Sequence, residues 1–306
     1  MKNRFVTLFP AAALFALLVT FSAEARAGAL SGMRLWSELL VPSLLPYFAA
    51  AGLLSRLGFV DALGRYLPAG GGIFLLGLSG GYPLGAAAVA DALRAGDIDR
   101  AQGQELLRYC DNTGPAFAVG AMGLGVFGRA AVGLWLWGIH ALCALALSLL
   151  FHRRRDAAVR PAPKCLSFAE ALTGSLSAAV TALLSIGGYV VFFSALLSII
   201  ERLGFPGAVC ESLARRFGLD AAFLRAGLVG ALELSSGVGA LRALPPDALT
   251  LCLAAFLLGW GGLCVHFQSS AVVAGTGMRM GPRLRGKLLH GLLSALCAWA
   301  LAPLIL

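Results

Sequence analysis

Two short segments carry residue types suited to holding a small polar molecule. They are Ser79-Gly80-Gly81-Tyr82-Pro83 in the first half of the chain and Glu233-Leu234-Ser235-Ser236-Gly237 in the second. Glycine and interior proline weaken or break a helix, so both segments read as turns between helix ends. Such a turn presents free backbone amides, and helix N-termini favour carboxylates and other anions. Glu233 is the only charge between Arg225 and Arg242. In apolar surroundings it has four candidate roles: accepting a proton, binding a coupling cation, contacting substrate, or serving as a structural acceptor for the other turn's amides.

Two further breaks complete the candidate binding set. Asp111-Asn112-Thr113-Gly114-Pro115 offers Asn112 and Thr113 as donors and acceptors where Gly-Pro frees backbone carbonyls. Gly261-Gly262 followed by His266, Gln268, Ser269 and Ser270 repeats that chemistry. His266 and Gln268, two apart, lie on different faces of a regular helix. His140, His152 and His290 form no pattern with these. The chain has no G-x-S-x-G, no H-E-x-x-H and no phosphate loop, so an enzyme is not expected. Its seven cysteines include no C-x-x-C pair and no metal-ligand spacing, so no cofactor, metal or disulfide framework is expected. A coupling cation stays open.

The elements that position these residues belong in a bilayer. Of 306 residues 59% are hydrophobic and 13% charged, about half the roughly 25% charge of a soluble domain. The net charge of +9 sits in clusters between apolar runs, Arg153-Arg154-Arg155 and Arg279, Arg283, Arg285, Lys287. That is how cytoplasmic loops are marked, and it argues against a nucleic-acid partner. Uncharged stretches run Phe5–Ala23, Leu39–Ser55, Tyr66–Ala90, Asn112–Gly128, Ala130–Phe151, Ala171–Ile200, Ala248–Met278 and Leu288–Leu306. Against a requirement of roughly 20 residues per span, these give an all-α integral membrane protein of about seven transmembrane helices. Tyr66–Ala90, interrupted by Pro68, Gly70, Gly71, Gly72, Gly77, Gly80, Gly81 and Pro83, and Arg225–Arg242, with Ser235, Ser236, Gly237 and Gly239 at its tip, read as two re-entrant helical hairpins, since broken backbone at membrane depth must be buried in protein or line a wet cavity.

The N-terminus, Lys2 and Arg4 before an apolar run and Ser22-Ala23-Glu24-Ala25, reads as a retained first helix or a cleavable signal. The halves echo one another. Leu53-Leu54-Ser55-Arg56-Leu57-Gly58-Phe59 recurs as Leu196-Leu197-Ser198 and Arg202-Leu203-Gly204-Phe205, and Ser79 precedes Asn112 by 33 positions as Ser235 precedes Gln268. The expected organisation is an N-terminal helix (1–30), a first repeat (31–155) with its hairpin near 66–90, a cytoplasmic linker (156–166), and a second repeat (167–306) with its hairpin near 222–242. Opposite starting sides make this an inverted repeat, common in secondary transporters.

Arg34-Leu35-Trp36, Val41-Pro42-Ser43-Leu44-Leu45-Pro46-Tyr47-Phe48, Ser79-Gly80-Gly81-Tyr82-Pro83-Leu84-Gly85-Ala86, Asn112-Thr113-Gly114-Pro115 and Gly262-Leu263-Cys264-Val265-His266-Phe267-Gln268 resemble the YlbJ-like sporulation integral membrane proteins, over nearly the whole chain. That family is similar to the gate or nucleoside-recognition domain of concentrative nucleoside transporters. The resemblance implies a role in endospore formation, moving dipicolinate across a forespore-surrounding membrane. It carries no residue-level substrate contact. The alternatives are a nucleoside or nucleobase carrier and a non-transporting sporulation scaffold. The expected partners are the lipid bilayer and the small-molecule substrate.

Overall fold

A computed structural model describes residues 2–58, 62, 70–151 and 166–306, with side chains from residue 8 on. The Arg153–Arg155 cluster, His152, Cys165, residues 156–165 of the linker and the start of the first hairpin (66–69) lie outside the described residues. The described residues are helical and joined by turns, with no strand among them. In chain order the helices are α1 (Lys2–Thr20), α2 (Ser22–Arg56), α3 (Gly71–Gly80), α4 (Leu84–Ala95), α5 (Arg100–Leu106), α6 (Phe117–Phe127) and α7 (Ala130–Phe151). The second half supplies α8 (Phe168–Arg202), α9 (Phe205–Phe217), α10 (Ala221–Leu232), α11 (Leu234–Leu241), α12 (Ala248–Trp260), α13 (Gly262–Val272) and α14 (Met280–Ile305).

Five helical stretches among the described residues are long and apolar enough to cross a membrane: α2, α7, α8, the broken pair α12–α13, and α14. About seven were expected from uncharged runs. The difference arises partly at α2, which continues through Glu24, Arg26, Arg34 and Glu38 as one helix of 35 residues, so the expected start at Leu39 and the domain boundary at 30/31 both fall inside it. Arg26, Arg34 and Glu38 are exposed on its surface, and a helix carries charge there without ending. A π-helical segment, Leu35–Leu40, lies just before Pro42, where the ring clashes with the carbonyl four residues back and the missing N–H leaves an acceptor free. The run Asn112–Gly128 holds only the 11 residues of α6 as apolar helix, about 17 Å long and short of a roughly 30 Å core.

Six helices of the first half, α2 to α7, correspond in order to α8 and α10 to α14 of the second. α2 and α8 are both 35 residues, beginning at 22 and 168 and ending at 56 and 202, so both ends are 146 positions apart. Each runs into a left-handed glycine, Gly58 at φ 79° and Gly204 at φ 73°. Asp99 caps α5 and Asp247 caps α12, accepting from Gln102 N at 2.7 Å and Thr250 N at 2.9 Å. The helices α7 and α14 then close each half.

Equivalent helices pack antiparallel. Gly28 of α2 lies against Ser194 and Ser198 of α8, Trp36 donates its indole N–H to Leu183 O at 2.8 Å, and Gly52 faces Ser175. Small residues on both sides let the two backbones approach, the usual route to helix association in lipid. The helices α7 and α14 are likewise antiparallel: Arg129 reaches Leu306 O at 3.2 Å, and the Sγ atoms of Cys143 and Cys297 are 3.9 Å apart. One apolar core runs between the halves, with Leu44 and Phe48 of α2, Leu183 and Ile186 of α8, Leu136 of α7 and Leu257 of α12 buried together.

Candidate functional site

Each half places a helix–turn–helix pair at the centre. The first folds α3 back on α4 through Gly81-Tyr82-Pro83, with Gly77 against Gly85; the second folds α10 on α11 through Glu233, with Gly230 against Gly237. At 8 to 12 residues, roughly 12–18 Å, none of these helices spans a bilayer. The second turn falls at Glu233, two residues before the expected Ser235–Gly239 tip. Its backbone is extended (φ −139°, ψ 111°), and its carboxylate accepts from the amides of Ser235 at 2.9 Å and Ser236 at 2.5 Å. Glu233 therefore caps its own hairpin and not the other one, whose amides were one of the four partners open to it from sequence.

The chain breaks that face these turns are also paired. Residues 111–114 interrupt the path from α5 to α6, and Gly261, at φ 87°, separates α12 from α13. The structural partner of the Asn112–Gly114 break is thus Gly261, seven residues before the Gln268 that matched by spacing. Only glycine fits where it is used here: a Cβ on Gly261 would stand 3.2–3.3 Å from the Tyr82 ring, and one on Gly81 would stand 3.0 Å from Gly114 N.

Between the turns and breaks lies a small cavity of about 50 Å³. Six of the residues singled out from sequence line it: Gly81, Tyr82, Thr113, Glu233, Ser235 and Gln268. The opposite wall is apolar, from Leu40, Leu44 and Phe48 of α2, Phe117, and Ile186 and Val190 of α8. The Tyr82 hydroxyl donates across the halves to Leu258 O at 3.1 Å, and Thr113 Oγ1 donates to the same carbonyl at 2.9 Å. The break at Gly261 leaves carbonyls at the end of α12 without helical partners, and the first half supplies donors to them.

Other predicted residues sit elsewhere. Ser79 is exposed and its hydroxyl bonds back to Leu76 O, so it is not part of the cavity. Gly80, Pro83 and Ser236 flank the turns without lining the cavity. Asn112, His266 and Ser269 belong to a buried polar network behind it. At its centre Asp111, fully buried, accepts through Oδ1 from Ala86 N at 3.2 Å, near the start of α4. Its Oδ2 accepts from Ser269 at 2.7 Å and from Arg283 Nη2 and Nε at 2.5 and 3.2 Å. Arg283 also bonds His266 Nδ1. Lys287, one turn on, donates to Asp111 O at 2.8 Å, Asn112 Oδ1 at 3.3 Å and His290 Nδ1 at 3.0 Å, and lies 5.1 Å from the Tyr82 ring centre. His290 donates from Nε2 to His140 O at 2.9 Å, and Thr113 N donates to His140 Nε2 at 3.1 Å. These partners assign the tautomers.

The tips thus differ from the expected open anion site. Both turn-following helices, α4 and α11, already have a resident carboxylate at their N-termini, Asp111 and Glu233. A helix N-terminus draws an anion whichever molecule supplies it. Arg283 and Lys287, read from sequence as cytoplasmic charges, are wholly buried in α14, while their neighbours Arg279 and Arg285 are exposed. The signal was present: Arg283, Lys287, His290 and Ser294 follow a spacing of four, three and four, one face of a helix.

A last pair of contacts ties each hairpin to the other half. Arg94, at the end of α4, donates to Val272 O at 2.8 Å, the last residue of α13. Arg242, just after α11, donates to Gly125 O at 2.7 Å, inside α6. Arg94 and Arg242 are 148 positions apart, so equivalent arginines bind equivalent broken helices.

Among proteins of known identity, the chain is similar to the sporulation integral membrane protein YlbJ of Bacillus subtilis (strain 168). The two are 26% identical over 309 residues, covering 87% of this chain and 74% of that protein. No family model and no solved structure matches. With five long apolar helices besides, the chain is an integral membrane protein.

Proposed function

The chain is a YlbJ-like sporulation integral membrane protein, and from that premise we propose that it is a transporter of a small polar anion, with dipicolinate as its cargo during endospore formation and a forespore-surrounding membrane as its place. The observation that carries this reading is the cavity between two helical turns, one from each half, with one polar wall and one apolar wall. A flat ring with polar substituents matches such walls. The two helical hairpins are taken as re-entrant, and the antiparallel halves as an inverted repeat about the cavity, the arrangement in which one half rocks or opens against the other. Nothing in this scheme requires chemistry on the cargo, so no catalytic residue is assigned.

Uptake of labelled dipicolinate into proteoliposomes carrying the purified chain, with unlabelled uridine as competitor, tests the proposal. Saturable uptake that uridine leaves unchanged is the expected result. Uptake abolished by uridine would instead favour a nucleoside carrier, and absence of flux from correctly folded protein would favour a scaffold role.

A further inference from the structure

Among the described residues Glu233 is the single charged side chain lining the cavity. Its residue is 2% exposed, and no basic side chain among the described residues pairs with it. Facing it are neutral groups: the Ser235 and Ser236 hydroxyls beside it, Cys264 and Gln268 from α13, and Tyr82 and Thr113 across the cavity. The cations on neighbouring elements are engaged elsewhere. Arg283 holds Asp111, Lys287 holds Asp111 O, Asn112 and His290, Arg225 pairs with Glu201 at 2.6 Å, and Arg242 holds Gly125 O. His266, the nearest imidazole on α13, accepts from Arg283 and stacks edge-on against Trp260.

A carboxylate alone in such a site repels an anionic cargo, and in surroundings of low dielectric constant that repulsion is strong. From this we infer that Glu233 is the proton site of the carrier: the cargo anion and one proton bind together, the proton on the Glu233 carboxyl, and both cross as a symport. The inference rests on the transport reading above and names its coupling ion. The proton taken from the entry side cancels the negative charge that Glu233 would otherwise set against the cargo, and a dicarboxylate dianion crossing with that one proton carries a net charge of −1. The same proton weakens the two hydrogen bonds by which the carboxylate holds the Ser235 and Ser236 amides, so protonation loosens the turn on the event that admits cargo.

Binding of dipicolinate by the purified full chain in weakly buffered detergent solution, with a pH dye reporting proton uptake, tests this between pH 6.5 and 8.5. The expected result is about one proton taken up per dipicolinate bound, with affinity falling by up to tenfold per unit as pH rises, the slope set by one linked proton. Glu233→Gln should abolish the proton uptake and flatten the pH dependence, while Glu233→Asp retains both. Dipicolinate binding by the unsubstituted chain without proton uptake would overturn the inference and leave the transport reading standing. Binding of uridine alone, or of neither compound, would overturn both. The unsubstituted chain decides the matter even if a variant fails to fold.

Discussion

Asp111 meets three elements at once. Its two oxygens hold the start of α4, Ser269 of α13 and Arg283 of α14, all in fully buried surroundings. A buried ion pair contributes little net stability when whole, because desolvation offsets the attraction, but removing one partner leaves an uncompensated charge. Arg283→Gln should therefore destabilise the protein by about 3–5 kcal/mol, and adding Asp111→Asn should restore much of that loss. Equilibrium unfolding in mixed SDS micelles, run as a double-mutant cycle, measures the coupling; additive losses would mean that the pair acts independently. From sequence Asp111 was visible only as the head of a helix-breaking motif. Charge was read as a label for loops, and at Arg283 and Lys287 the helical spacing outweighed that label, because a fully satisfied cation can be buried where its partners await it.

The breaks in the helices were legible because they depend on backbone chemistry carried by single residues. Gly81, Gly114, Gly261 and Gly262 mark where the chain turns, and three of them, Gly81, Gly261 and Gly262, have positive φ. What surrounds a break was less legible. The turn at Glu233 has no glycine at its apex, so it was placed two residues late, and the continuity of α2 through four charges was missed because a helix needs apolar residues on one side only. Gly261 gives a direct test of the broken-helix geometry. Gly261→Ala forces a left-handed backbone on a residue with a Cβ and crowds the Tyr82 ring, which should cost about 1–3 kcal/mol in the same unfolding measurement. A neutral effect would mean that α12 and α13 do not need this hinge.

At the scale of the molecule the halves form a near-twofold arrangement whose parts are exchanged in pairs. His140 and His290, 150 positions apart, stack at 4.2 Å between α7 and α14, and Arg94 and Arg242 clasp opposite broken helices. The echo of Arg56-Leu57-Gly58 in Arg202-Leu203-Gly204 made the duplication readable, but the contacts across it were not, since antiparallel packing brings together residues with no fixed spacing in the chain. If the axis relating the halves lies in the membrane plane, equivalent loops face opposite sides. Asp97, between α4 and α5, and Pro246, between α11 and α12, are such a pair. In a background with the native cysteines replaced by alanine, Asp97→Cys and Pro246→Cys should react with a membrane-impermeant maleimide from opposite faces of sealed, oriented vesicles. Labelling of both from one face would mean that α2 and α8, antiparallel in the fold, do not cross the membrane in opposite directions. The two hairpins would then enter from the same side, and a carrier that opens its central cavity alternately to each side would lose its structural basis.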